Sequence, residues 1–372
     1  MKLTIERAAL LKSLSHVHSV VERRNTIPIL SNVLLEAADG KLSLTATDMD
    51  LTIVEAVPAE VAQPGATTAP AHTLYDIVRK LPEGAQVELA PSGEDGRMAL
   101  TSGRSRFQLA TLPKEDFPST LDGDFPQSFA LMAGELRNLI DRTRFAISTE
   151  ETRYYLNGIY VHAAESESVS VLRAVATDGH RLARFEMPLP EGAAEMPGVI
   201  VPRKTVGELR KLIEEADEAI ETSLSETKVR FAFGSTVLSS KLIDGTFPDY
   251  ERVIPTGNDK ILEIDCKTFS QAVDRVSTIA TEKSRAVKMA VGNGALTLSA
   301  TSPESGSAIE ELEVGYGGDT LEIGFNSRYL LDIAQQIEGE QAQFALADAA
   351  SPTIVRDLAD SSALYVLMPM RV

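Results

Sequence analysis

The sequence predicts an α+β protein built from three similar domains, each with two helices packed on antiparallel sheet. Three observations carry that expectation. The segment Leu42-Ser-Leu-Thr-Ala-Thr-Asp48 returns as Val171-Leu-Arg-Ala-Val-Ala-Thr-Asp178 and again as Leu296-Thr-Leu-Ser-Ala-Thr-Ser302, which sets the repeated pairs 130 and 124 residues apart. Each third holds two stretches with helical apolar spacing. Short alternating stretches with turn signals fill the rest, and links this short favour antiparallel pairing over crossover helices.

Each third follows one order. In the first, Leu10, Leu14, Val17 and Val21 mark a helix, and Asp39-Gly40 joins two alternating stretches as a hairpin. A second helix follows over Ala71 to Leu81, and the unit ends in Leu112-Pro-Lys-Glu-Asp-Phe-Pro118. The second third places Leu136, Leu139, Ile140 and Thr143 on one helical face, adds a helix over Arg203 to Ile213, and ends in Leu242-Ile-Asp-Gly-Thr-Phe-Pro248. In the last third, Phe269, Val273, Val276 and Ile279 mark the first helix. Gly292-Asn-Gly294 is its hairpin and Ser327 to Ile337 its second helix. Gly315, Gly317 and Gly318 read as a turn, and the chain finishes in the apolar Tyr365-Val-Leu-Met-Pro-Met-Arg-Val372. Pro, Gly and Asp break the pattern near residues 121–126 and 254–259, so the expected domains are 1–122, 127–254 and 258–372.

Composition agrees with three domains. A chain of 372 residues with 43% hydrophobic residues can fill three cores, which must be aliphatic because aromatics are only 5% and Trp is absent. The single Cys266 excludes an intrachain disulfide and a multi-cysteine metal site, and reads as a small apolar residue near a helix start. The opening Met1-Lys-Leu-Thr-Ile-Glu-Arg7 has no apolar signal region, and no run of 18 apolar residues occurs, so a cytoplasmic protein without a membrane span is expected.

The net charge of −18 argues against loose binding of nucleic acid over the whole surface, but the positive charge is unevenly spread. Lys12, His16 and Arg23 fall on a polar face of the first helix, and Arg137, Arg142 and Arg144 lie on the next. Arg79, Lys80, Arg203, Lys204, Arg210 and Lys211 sit on the second helices, while Arg275, Lys283, Arg285 and Arg328 continue the series. Single cations of this kind are ordinary solvated helix residues. Together they suggest a lining that tracks phosphates without reading bases.

Enzyme chemistry is poorly supported. Thr177-Asp178-Gly179-His180-Arg181 resembles an acid–base string, yet no nucleophile motif, metal-ligand set or phosphate loop accompanies it. A turn leaving a strand, with His180 and Arg181 at a surface or partner site, explains the string better. A hydrolase using Asp178 and His180 and a repeat-built scaffold unrelated to DNA are the two rival readings.

Several strings, in order, carry a family resemblance. They are Met1 to Arg7, Ile27-Pro-Ile-Leu30, Arg153-Tyr-Tyr-Leu-Asn-Gly158, Ala176-Thr-Asp-Gly-His-Arg-Leu182, Val201-Pro-Arg-Lys204, Phe247-Pro-Asp-Tyr250 and Met368-Pro-Met-Arg371. Over its full length the chain resembles the bacterial DNA polymerase III beta subunit, the sliding clamp. The resemblance implies a non-catalytic processivity factor without cofactor or metal. It implies a head-to-tail homodimer whose six domains close a ring around double-stranded DNA, read without regard to sequence.

By the same resemblance, a partner-peptide groove would comprise Arg153, Leu156, Thr177, Gly179, His180, Arg181, Leu182, Pro248, Arg252, Val253, Val366, Met368, Pro369 and Met370. It would serve the replicative polymerase alpha subunit, the clamp-loader ATPase complex and other proteins with a clamp-binding motif. Leucine and aromatic anchors would enter its apolar pockets. Arg24, Tyr154, Tyr155, Arg203 and Lys204 match DNA-binding positions, with Arg79 and Arg137 as helix-face candidates, and Ile279 is placed at the dimer interface. Three positions depart from the family pattern: Ala350 and Pro352 at the groove rim, and Glu150, whose charge disfavours phosphate approach.

Overall fold

The structure is a computed structural model that describes residues 1–92, 96–121, 123–280 and 285–371. Among the described residues the α-helices are α1 (Arg7–Val17), α2 (Ala71–Lys80), α3 (Ala133–Thr143), α4 (Arg203–Leu212), α5 (Cys266–Ser277) and α6 (Ser327–Ala334). They fall where the apolar spacing predicts them. Their ends have local causes. Glu6 accepts from the Ala9 amide at 3.2 Å, Asp265 from Thr268 at 2.7 Å and Asn326 from Arg328 at 3.0 Å, so side chains satisfy amides that a helix start leaves unpaired. Hydrogen bonding from the side chain and backbone of Thr268 holds the exposed Asp265 carboxyl below the usual carboxylate range.

The hairpins explain the repeat. Ala38 faces Lys41, Ser166 faces Val169 and Gly292 faces Ala295, so two residues turn the chain in each third. Asp39-Gly40 and Asn293-Gly294 take positive φ at both positions, the tight turn that matches strand twist. In the middle third Glu167 and Ser168 adopt the same conformation at φ 49° and 69°. No glycine marks this turn, and the sequence pattern misses it.

The repeated segment is the second hairpin strand each time: Lys41–Thr47, Val169–Thr177 and Ala295–Ser302. Its terminal Asp or Ser caps the turn that follows. Asp48 Oδ1 accepts from the amides of Asp50 and Leu51, Asp178 Oδ1 from those of His180 and Arg181, and Ser302 Oγ from those of Glu304 and Ser305. The motif that resembled an acid–base string is therefore turn chemistry.

The chain forms two compact units, residues 1–137, 190–197 and 204–242, and residues 138–189, 198–203 and 243–372. The first unit contains a five-stranded and an eight-stranded sheet. In the eight-stranded sheet Leu51–Pro58 pairs antiparallel with Thr236–Lys241, which joins strands nearly 200 residues apart in one ladder. Leu10 and Leu14 of α1, Leu74 of α2 and the strand residues Leu35, Leu42 and Leu44 are fully buried in this unit. Each such side chain contributes roughly 1.5–3 kcal/mol of burial free energy.

The second unit contains a nine-stranded and a four-stranded sheet. Arg181–Pro188 pairs antiparallel with Ala363–Leu367, with Arg181 opposite Leu367 and Leu182 opposite Val366. The apolar chain end is thus an interior strand with every residue from Ala363 to Leu367 buried. Cys266 opens α5 and is buried, as its context suggests. Gly315–Tyr316 is a short edge strand on Lys260–Asp265 rather than only a turn.

Candidate functional site

The Arg181–Pro188 and Ala363–Leu367 ladder opens a hollow at its end. Leu182 and Val366 stand opposite each other in it, and the chain leaves the last strand as Met368, whose amide donates to His180 O at 2.9 Å. Two short helical turns add walls, Glu151–Leu156 and Tyr250–Val253. Between them lies a cavity of about 310 Å³ lined by Arg153, Tyr155, Leu156, Thr177, Gly179, Arg181, Leu182, Pro248, Asp249, Tyr250, Val253, Val366 and Met368. Beneath it Val175, Ile200, Phe247, Ile354 and Leu364 pack into one apolar cluster with Leu156, Leu182, Tyr250 and Val366. The floor is therefore apolar and closely packed, while Val253 and Met368 stay exposed at the rim. Such a cavity accepts apolar side chains and has no constellation for chemistry.

Ten residues expected in the groove line this cavity: Arg153, Leu156, Thr177, Gly179, Arg181, Leu182, Pro248, Val253, Val366 and Met368. Four do not. The His180 ring is stacked 6.3 Å from Tyr329, and Arg252 points outward to Asp249 at 2.7 Å. Pro369 follows Met368 in the chain and is not part of the cavity lining. Met370 donates its amide to Gly324 O at 2.7 Å and lines a different depression with Ala350, Lys288 and Arg371. Pro352 lies outside the cavity lining, its carbonyl held by Asn258 Nδ2 at 2.9 Å.

Tyr155, Asp249 and Tyr250 line the cavity without having been assigned to it. Their only sequence signal is that they share the Arg-Tyr-Tyr-Leu and Phe-Pro-Asp-Tyr strings with assigned residues.

Two residues shape the rim through backbone and charge. Gly179 has φ 87°, and a Cβ there would lie 2.7 Å from Arg153 Nη1. The positive φ is what favours glycine here, since the Arg153 tip is the far end of a flexible side chain and can move aside. Glu150 Oε2 meets Arg153 Nε at 3.0 Å, so the charge that sets this loop apart is matched by a groove residue.

Arg181 faces inward. Its guanidinium donates to Asp332 Oδ2 at 2.5 Å, Asp178 Oδ2 at 3.2 Å and the Phe145 carbonyl at 2.6 Å, and lies 4.3 Å from the Tyr329 ring centre. It offers the cavity its flank, and its charge is already matched. The Asp178 carboxylate is equally occupied, accepting from the turn amides of His180 and Arg181 and from the Arg181 guanidinium. Among the described residues no group of three or more His, Cys, Asp or Glu could hold a metal ion.

The DNA candidates divide similarly. Arg24 and Arg203 are exposed, as is Tyr154, whose ring meets Tyr155 edge-on at 5.8 Å. Arg79 is exposed beside Asp76 at 3.1 Å and lies over the Tyr75 ring at 5.6 Å. Arg137 is turned to the end of α4, donating to Ile213 O at 2.7 Å and Ala216 O at 2.5 Å, where it satisfies carbonyls that the helix leaves open. Lys204 Nζ is held by Val20 O at 3.1 Å, Glu22 Oε1 at 2.7 Å and Asp48 Oδ2 at 2.6 Å.

Other helix cations are paired as well: Lys12 with Glu215, Lys211 with Glu208 and Arg275 with Glu310. Arg142 is buried against Gln336 O, Glu338 and Asp360. Lys283 lies outside the described residues. Helical periodicity placed these charges but could not show which carboxylates meet them. Ile279 follows α5 half-buried, its amide on Val276 O.

Three related domains of helices and antiparallel sheet, with an apolar groove, have the architecture of a DNA-clamp protein. Family models agree. Residues 1–122 match the DNA polymerase III beta subunit N-terminal domain, 130–249 its central domain and 251–371 its C-terminal domain. The beta sliding clamp of Caulobacter vibrioides is 59% identical over the whole of both chains. The crystal structure of the Caulobacter crescentus sliding clamp covers both chains fully at 59% identity with a TM-score of 0.94. That of the Bartonella birtlesii clamp bound to griselimycin covers both fully at 54% identity with a TM-score of 0.97. The chain belongs to the DNA polymerase III beta subunit family, the sliding clamps, and is a non-catalytic processivity factor of the replicative polymerase.

Proposed function

We propose that two copies of this chain close head-to-tail around duplex DNA and tether clamp-binding proteins through the groove at Leu182, Val366 and Met368. The observation that carries this reading is the preformed apolar cavity with exposed rim residues, which suits a leucine and an aromatic anchor of an extended peptide. Its occupants are the polymerase alpha subunit, the clamp-loader complex and other proteins with the same motif. A tethered polymerase that lets go of the primer end stays at high effective concentration and rebinds. The domains are 1–122, 127–254 and 258–372, and the protein works in the cytoplasm, at the nucleoid during replication.

Edge strands support the closure. Ser105–Ala110 ends the five-stranded sheet and carries exposed Arg104 and Arg106 at and beside it. Gly306–Glu313 ends the four-stranded sheet and carries exposed Glu311 and Glu313, with Ile309 76% exposed. A basic edge on one chain and an acidic edge on another are complementary, and pairing them covers open ladders and the isoleucine. Ile279, which follows the helix α5 that packs against this strand, adds apolar contact.

For DNA, exposed Arg24, Arg79, Arg203 and Tyr154 make the phosphate contacts, and weak contacts of this kind permit sliding. Topology keeps the ring on DNA. Protein loaded on nicked circular DNA should remain bound and leave once the circle is cut. Retention on linear DNA with free ends would contradict encirclement.

A further inference from the structure

We infer that Arg173 and His162 are positioning residues for the peptide groove, holding its Phe247 to Val253 wall in place through the hydroxyl of Tyr250. The inference deepens the groove reading above and rests on it. Tyr250 lines the cavity with its ring and turns its hydroxyl away, into a polar network under the wall. That oxygen lies 2.9 Å from His162 Nε2 and 2.9 Å from Arg173 Nη1. His162 Nδ1 is 2.9 Å from the Ala163 carbonyl, which can only accept, so Nδ1 carries the proton and Nε2 accepts from tyrosine. Tyr250 thus donates to one partner and accepts from the other.

Arg173 also reaches the next residue of the wall. It donates to Glu251 Oε1 at 2.6 Å and to Glu186 Oε1 at 2.8 Å, while itself only 4% exposed. Stacking adds a second hold: Phe247 lies on Tyr160 at 4.9 Å, and Tyr160 on His162 at 4.7 Å.

Two physical arguments assign this network to positioning. The Tyr250–Val253 turn is only four residues long, far too short to be stable as a helix by itself, so its place depends on what grips it. A buried arginine in a strand is rarely the most stable choice, since an apolar residue of similar volume serves the strand as well. What arginine supplies is direction, because its fork fixes Tyr250 and Glu251 relative to the strands that carry Leu182 and Val366.

The test is affinity for a fluorescein-labelled peptide bearing a leucine and a terminal phenylalanine, read by anisotropy well below each variant's melting temperature. Tyr250→Phe keeps the ring and removes only the hydroxyl, and should weaken binding about tenfold, as should Arg173→Met, with the double variant no weaker than the worse single one. His162→Gln, which supplies an amide oxygen to the tyrosine, should bind nearly as wild type does, whereas His162→Ala should not. If Arg173→Met fails to fold, Tyr250→Phe and the two His162 variants still decide the matter. Failure of the wild type to take the peptide sinks the groove reading and this inference together. Binding that Met368→Glu abolishes but Tyr250→Phe leaves unchanged overturns this inference alone.

Discussion

Replacing Arg181 by methionine separates packing from charge at the heart of the groove. Methionine roughly fills the space of the arginine stem but leaves Asp178, Asp332 and the Phe145 carbonyl without their donor. The two carboxylate side chains are only 16% and 24% exposed, so water replaces little of what is lost. Stripping one partner from a buried ion pair costs about 3–5 kcal/mol, and the residual exposure places this case near the lower end, on the order of 3 kcal/mol. In a unit of this size that should lower the melting transition by roughly 6–12 °C. Adding Asp332→Asn should recover part of the loss, because the second substitution removes a stranded charge. Differential scanning calorimetry reads both shifts. A single variant as stable as wild type, or a double variant no better than the single one, would refute the view that Arg181 acts mainly inward.

Lys204→Met should leave the salt dependence of duplex binding nearly unchanged, since its ammonium is already held by Glu22 and Asp48. Arg24→Ala and Arg203→Ala should each lower the slope of log K against log salt by about 1, as measured by salt titration. Reversing Arg104 and Arg106 to glutamate should split the dimer in sedimentation velocity, and reversing Glu311 and Glu313 to arginine in the same chain should restore it; an unchanged dimer in the first variant would remove the edge-strand account. Burial holds His162 and His18 below the usual imidazole range, so both are neutral in the fold, and the stability this gives is complete above about pH 6.5. It should fall as pH drops below that toward their folded values, and His162→Gln should flatten part of the decline in melting temperature between about pH 6.5 and 5.

Much of the fold was legible because its signals are local. Apolar spacing placed all six helices, two Gly-containing turns placed two hairpins, and one repeated strand exposed the threefold plan. The Glu167-Ser168 turn was missed because its conformation is imposed by the strands on either side, against the preference of its residues. Of the groove, the resemblance identified ten lining residues, while Tyr155, Asp249 and Tyr250 were assigned elsewhere or not at all.

What the sequence by itself determined is the repeating unit: two amphipathic helices, alternating strands, and a Thr-Asp or Thr-Ser turn that caps itself. These depend on residues a few positions apart, whose contacts the chain cannot avoid. Only the tertiary structure decided which ladder edges meet, since backbone hydrogen bonds are alike in every strand and the choice rests on burial across distant segments. That choice pairs Leu182 with Val366 and so creates the groove. It also decided the fate of each cation. Lys204, Arg137 and Arg181 look equally available along the sequence as Arg24 and Arg203 do, and they differ because folding brings carboxylates and open carbonyls to the first three.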